Sequence, residues 1–154
     1  MEQIKLNLGS GGKVIEGFVN IDIDSNLDPD LCFDVSEGLP YEDNSIDEVR
    51  AFDFLEHIKI GKTIFVIDEI WRVLKPGGKF EHFTPSTDGR GAFQDPTHVS
   101  FWNINSWLYF CEGKWPGMYG IKSRFEIVSL QDHITSDQFN IIHTHGIFIK
   151  GADK

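Results

Sequence analysis

Four groups of residues have the types and spacing to do chemistry. The first is Gly9-Ser10-Gly11-Gly12, which interrupts an apolar stretch ending at Leu8. Glycine has no Cβ, so such a bend lets main chain lie directly against a ligand. The second group is a pair of acids, Asp22 and Asp34, each near the end of a further apolar run. A carboxylate at the end of a second strand can accept hydrogen bonds from both hydroxyls of a ribose, and another Asp can accept one from an adenine amino group. The third is Phe52-Asp53, closing the run Ile46–Phe52. Together these three describe a cradle for an adenosine-containing ligand. The fourth is Asp95-Pro96-Thr97-His98, a compact polar stretch in which Asp95 can orient His98 and His98 can accept a proton near neutral pH.

These residues need a scaffold. Gln3 to Leu8 alternates apolar and polar residues as a strand does, and Phe18 to Ile23, Asp30 to Val35, Ile46 to Phe52 and Lys79 to Thr84 read as further strands. Between Lys62 and Leu74, Ile64, Ile67, Ile70, Trp71 and Leu74 recur at helical spacing, and Lys75-Pro76-Gly77-Gly78 ends that helix. Ser86 to Pro96 and Glu112 to Lys122 read as loops, with a short helix around Asn105 to Phe110. Arg124 to Leu130 and Phe139 to Lys150 form a last pair of strands, separated only by Gln131 to Gln138. That gap is too short for a helical crossover, so the pair is antiparallel. The expected fold is α/β and Rossmann-like: a mostly parallel sheet with an antiparallel C-terminal strand pair and helices on both faces. Such a sheet binds its ligand at the carboxyl ends of its strands, where the glycines and acids fall.

The spacing then selects among adenosine ligands. A dinucleotide fingerprint wants a third glycine where this chain has Val14, and a ribose acid about 20 residues downstream, whereas Asp22 follows much sooner. Ser10 to Gly17 is also too short for the helix whose N-terminus would face a pyrophosphate. S-adenosylmethionine has no pyrophosphate and needs that helix less.

Here the chain resembles the class I S-adenosylmethionine-dependent methyltransferases, most closely a small subgroup with a shortened first crossover. The resemblance is carried by Lys5–Gly11, Gly17–Asp22, Leu39-Pro40-Tyr41, Ser45–Val49, Leu55–Ile58 and, most strongly, Glu69–Gly78. It implies an S-adenosylmethionine site built from Leu8, Gly9, Ser10, Gly11, Asp22, Ile23, Asp34, Val35, Phe52, Asp53 and His57. In that site Gly9 and Gly11 line the methionine end, Asp22 holds the ribose, and Asp34 and Val35 flank the adenine. It also implies attack by an acceptor nucleophile on the sulfonium methyl, and the loop that carries Asp95, as the orienting acid, and His98, as the candidate base, resembles a stretch of the same subgroup. Lys13 stands where a third family glycine often falls.

Plainer readings stand beside each of these. Gly9–Gly12 can be a tight turn, Asp22 a solvated strand end, and Asp34 an Asx turn opening the bend at Ser36-Glu37-Gly38. His57 can be a hydrogen-bonded structural histidine, and Asp95 with His98 can simply brace a loop. His143 and His145 are two apart on a strand, but no third residue is spaced to join them on a metal, so no metal is expected.

Bulk properties exclude some functions. The 154 residues suit one domain, 1–154, with one core. The net charge of −10 and the scattered Lys and Arg argue against nucleic acid and anionic membranes as partners. Cys32 and Cys111 read as buried free thiols. No apolar run approaches ~20 residues and no leader pattern is visible, so a cytoplasmic protein is expected. The functional expectation is methyl transfer to a small-molecule acceptor such as a sugar or metabolite. The alternatives are a cofactor-binding but inactive subunit and an NAD-dependent oxidoreductase. Oligomeric state is not legible.

Overall fold

Lys5-Leu6-Asn7-Leu8 forms β1, and both leucines lose all contact with solvent. The computed structural model describes residues 3–113, 115 and 117–152, so Pro116 of the expected loop lies outside the described residues. β1 sits inside one seven-stranded sheet with β2 (Val19–Asp22), β3 (Leu31–Cys32), β4 (Ile46–Phe52), β5 (Leu74–Pro85), β6 (Phe125–Ser136) and β7 (Ile141–Lys150). The strand order is β3-β2-β1-β4-β5-β7-β6. Strands β1 to β5 pair in parallel, and β7 runs antiparallel between β5 and β6. The mostly parallel sheet with its antiparallel C-terminal pair is as the sequence predicts. The chain moves outward from β1 through β2 to β3, then returns to β1's other side at β4. That reversal opens a crevice at the carboxyl ends of β1 and β4.

The last hairpin is tighter than the sequence suggests. β6 continues through Ile134 and Thr135 to Ser136, because β-branched residues suit a strand. Only 137–140 remains for the turn, where Asn140 adopts φ 51. Lys75-Pro76-Gly77-Gly78 is also part of a strand. Ile46 pairs with Leu74, the register shifts, and pairing resumes at Glu48 with Lys79.

The helix α1 (Thr63–Val73) buries Val66, Ile67, Ile70 and Val73. α2 (Gly91–Gln94) is a single turn, and α3 (Ile104–Trp107) begins in a capping box of Asn103 and Ser106 before a 3₁₀ turn over Leu108–Phe110. Side chains alternate across each strand. Leu6, Leu8, Val49, Ala51, Phe80 and Phe148 join α1 and Trp107 of α3 in one core. Cover on the other sheet face is thin. α2 meets it only at the rim, where Gly91 packs against Ile141 and Pro85. The first crossover is too short for a helix, and the second holds only a 3₁₀ turn over Ser25–Leu27. Cys111 is buried as expected, but Cys32 is exposed because β3 is the outermost strand. No helix among the described residues is long and apolar enough to cross a membrane.

Candidate active site

The bend after β1 is shaped by two left-handed residues, Gly9 (φ 60) and Gly11 (φ 52). A Cβ on Gly9 would overlap the Phe54 ring. The Ser10 N–H donates to the Ile21 carbonyl (2.9 Å), and the Gly11 N–H donates to Asp22 Oδ2 (2.8 Å). The Asp24 N–H donates to Asp22 Oδ1 (3.0 Å). Thus the glycine bend and the acid at the end of β2 are one structure. A buried amide pair closes the short crossover in place of a helix: Asn7 Nδ2 donates to Asn20 Oδ1 at 2.9 Å. Asn20 also donates from its main chain (2.7 Å) and side chain (2.9 Å) to Asp30 Oδ2. Those two bonds hold the Asp30 carboxyl below its ordinary range.

A cleft of about 690 Å³ opens beside this bend, well within the range for small-molecule sites. Of the residues nominated from sequence, Gly9, Gly11, Asp22, Ile23, Asp34, Val35, Asp53 and His57 line it. Leu8 is buried in the core and can offer only main chain. Ser10 faces an adjoining groove of about 260 Å³ shared with Gly11 and Asp53, and its buried hydroxyl has no partner. Phe52 also lines that groove but not the main cleft. Ala51 points into the core, so strand alternation turns Phe52 to the other face, where the Arg50 guanidinium lies 3.7 Å from its ring centre. That alternation was a signal available in the sequence. Asp34 caps the 3₁₀ turn over Val35–Glu37 by accepting from the Ser36 N–H at 2.8 Å. Its bonds from Ser36 hold its carboxyl low. The Asx-turn reading of Asp34 is therefore correct, and the turn sets the residue at the cleft wall. Phe33, Phe54, Lys59 and Lys62 also line the cleft, although no glycine or strand-end acid marks them in the sequence.

Beyond β4 the chain turns through Asp53, at φ 48, into a 3₁₀ turn over Leu55–His57. Glu56 is 2% exposed, and one carboxylate oxygen, Oε2, has no partner. Burial pushes its carboxyl up to about 8, opposed by its own backbone N–H and aided by the charges of Asp53 and Asp95. The amides of Val99 and Ser100 donate to the Glu56 carbonyl (2.9 and 3.1 Å), and the Ser100 hydroxyl donates to the Leu55 carbonyl (2.8 Å). These bonds lay the Asp95–His98 loop against Glu56. The His98 and His57 rings meet edge to face at 5.0 Å. His98 Nδ1 lies 3.0 Å from the Ala92 carbonyl, which therefore accepts its proton. Asp95 Oδ2 is 3.7 Å from His98 Nε2, too far for a hydrogen bond. Asp95 is held instead by the Thr97 hydroxyl (2.7 Å) and the Thr97 N–H (2.8 Å). The geometry thus brings Asp95, His98 and His57 together, but Ala92 rather than Asp95 sets the His98 ring.

Three other histidines are engaged elsewhere, and His133 on β6 touches the His145 ring with centres 5.7 Å apart. His82 is fully buried and stacked on Trp107 with ring centres 3.5 Å apart. His143 pairs with Asp53 (3.2 Å) and His145 with Glu81 (2.9 Å).

A family model described as "Methyltransferase domain" matches residues 17–81, the span from the first crossover through most of β5. The fold is that of the class I S-adenosylmethionine-dependent methyltransferases. A methyltransferase of this type from Methanosarcina mazei superposes with a TM-score of 0.71 at 16% identity, over 99% of this chain and 95% of that one. One from Archaeoglobus fulgidus gives 0.72 at 14% identity, over 96% and 86%. The phosphoethanolamine N-methyltransferase 2 of Haemonchus contortus, in complex with phosphomonomethylethanolamine and S-adenosylhomocysteine, gives 0.66 at 16% identity. This chain spans half of that protein's length. No curated protein matches the sequence.

Proposed function

We propose that the chain binds S-adenosylmethionine in the cleft beside Gly9–Gly11 and transfers its methyl group to a small-molecule acceptor. The observation that carries this reading is the hydrogen bond from the Gly11 N–H to Asp22 at the rim of that cleft. It draws bare main chain and a carboxylate to one place, which is what an adenosyl group bearing an amino acid needs. The chemistry of the lining fits: Gly9 leaves no room for a side chain, and Asp22 and Asp34 offer acceptors at the ends of β2 and β3. The Haemonchus protein with the same fold holds S-adenosylhomocysteine, and the family match includes Asp22, Asp34 and Asp53.

S-adenosylmethionine supplies an electrophilic methyl whose leaving group is a neutral thioether. The protein's work is therefore alignment, worth roughly 7–11 kcal/mol in favourable cases. In this reading Asp22 orients the ribose, Val35 and Phe33 enclose the adenine, and Phe54 fixes the glycine bend from behind. His98 is the candidate base. Its Nδ1–H is committed to Ala92, which leaves the lone pair on Nε2; the ring does not line the cleft itself but meets His57, which does. A general base at such a position contributes typically ~10²–10⁴-fold.

Calorimetric titration with S-adenosylmethionine, S-adenosylhomocysteine and NAD tests the reading. The expected result is binding of the two sulfur nucleosides and none of NAD. Preferential binding of NAD would replace this reading with the oxidoreductase one.

A further inference from the structure

Three side chains with metal-binding atoms converge beside the cleft, and only one of them lines it. Glu56, His57 and His98 each offer one ligand atom, and the three atoms lie within 4.8 Å of one another. We propose that they form a site for a divalent first-row transition ion. The inference rests on ligand geometry and stands whether or not the cleft holds S-adenosylmethionine.

The surroundings prepare both rings for this role. Metal-binding histidines almost always donate their second ring N–H to an outer partner, which leaves the other nitrogen unprotonated. His98 Nδ1 donates to the Ala92 carbonyl (3.0 Å), so its lone pair is on Nε2. The Thr97 hydroxyl donates to Asp95 (2.7 Å), so towards His57 Nδ1, at 3.5 Å, its oxygen is an acceptor. The His57 lone pair is then also on Nε2, which stands 3.9 Å from Glu56 Oε1. Glu56 supplies an independent sign. It is almost fully buried, yet Oε2 finds no donor. A buried carboxyl oxygen without a partner is costly, and a bound cation would supply one.

The donor set selects the class of ion. Two imidazoles and one carboxylate suit Zn²⁺, Mn²⁺, Fe²⁺ or Co²⁺ better than Mg²⁺ or Ca²⁺, which prefer all-oxygen shells. Three protein ligands also leave a position for water or substrate, as catalytic zinc sites do. Ligand atoms around a tetrahedral zinc stand roughly 3.3 Å apart, so an ion would draw the three inward by about an ångström. His57 is the exposed member of the set, with the freedom to make that movement. Because His57 lines the cleft, the open position would face an acceptor there. An acceptor bearing oxygen donors, such as a hydroxyl or carboxylate, fits that position. An ion on His98 Nε2 also occupies the lone pair that a proton would otherwise take, so metal binding and base action at this nitrogen exclude each other.

The test uses the full chain, freed of any histidine tag and of metal, titrated with Zn²⁺ by calorimetry and with Co²⁺ by visible absorption. The expected result is one ion per chain and a Co²⁺ spectrum of a low-symmetry site. H57Q and H98Q should each weaken Zn²⁺ more than about 100-fold, while H133Q, on the edge strand β6 and outside the ligand set, should stay within about twofold. S-adenosylhomocysteine titration of the native chain reports the cofactor cradle separately, and cooperative thermal unfolding checks that each variant is folded. Zn²⁺ binding absent, or unchanged in H57Q, would overturn the inference. H57Q decides the matter if H98Q does not fold, since His57 is the exposed member. In the native chain, no Zn²⁺ binding alongside intact S-adenosylhomocysteine binding strikes only this proposal, and the reverse pattern strikes only the methyl-transfer reading.

Discussion

Asp22 Oδ2 and the Gly11 N–H stand 2.8 Å apart, and this bond joins the end of β2 to the bend after β1. Its acceptor is charged, and such bonds contribute about 1.5–3 kcal/mol. Asp22→Ala removes both that anchor and the proposed ribose acceptor. The expected outcome is S-adenosylhomocysteine binding weakened by roughly 10–150-fold, read by calorimetry, with thermal unfolding still cooperative. An unchanged dissociation constant would remove Asp22 from the site.

Gly9 and Phe54 form a second coupled pair. Gly9→Ala places a Cβ in the space of the Phe54 ring at a positive φ. The expected loss of stability is about 1–3 kcal/mol in urea unfolding, with impaired nucleoside binding. Phe54→Ala in the same chain should recover part of what the Gly9 change alone costs, because it empties the clashing volume. Additive losses in the double variant would show that the φ of Gly9, not its contact with Phe54, sets the effect.

Arg72 ties α1 to the segment before β4. Its guanidinium donates to Glu69 (2.7 and 2.9 Å), to Asp43 (2.7 Å) and to the carbonyls of Leu39 and Tyr41. Glu69 also accepts from the Leu39 N–H at 2.9 Å. Arg72→Lys keeps the charge but cannot reproduce a planar fork with several directed donors. A destabilisation of about 1–3 kcal/mol is expected in chemical unfolding, and Arg72→Met should cost at least as much. A lysine variant as stable as the native chain would contradict this account.

His82 makes stability fall in mild acid. Burial, aided by the nearby His145, holds its imidazole well below the ordinary range. Its folded-state pKa is depressed. Above about pH 6.5 neither state is protonated there, and full stability is present. As pH falls below that value the unfolded chain gains a proton that the folded chain refuses, so stability drops towards the folded pKa. The slope from this one group is up to about 1.4 kcal/mol per pH unit. His82→Gln should be less stable near pH 7.5, having lost the stack on Trp107, yet lose less between pH 7.5 and 5.5. Equal losses in the two chains would exclude His82 as the source.

Much of the scaffold was legible because it depends on local rules. Leu6 and Leu8, Val49 and Ala51, and the apolar face of α1 each follow the periodicity of their element, and the glycines and acids fall where strands end. Glu69 and Arg72 stood in the strongest stretch of resemblance, although their joint grip on Leu39 and Asp43 is long-range. Phe52 does end β4, but its alternation with inward-facing Ala51 turns its ring to the adjoining groove rather than the main cleft. The pairing of Asp95 with His98 was read from proximity in sequence, whereas Ala92 and Thr97 turned out to be the stronger partners.

The amino-acid sequence by itself determined the strands, the long helix, the bend at Gly9–Gly12 and the rim on which an adenosyl ligand would lie. Propensity, alternation and glycine's conformational freedom act over a few residues, and those can be read along the chain. Only the tertiary structure decided that Glu56, His57 and His98 share one space and that Glu56 is buried without a full set of partners. Burial and convergence depend on which surfaces the loop after β5 comes to cover, and that is fixed by packing between segments far apart in the chain.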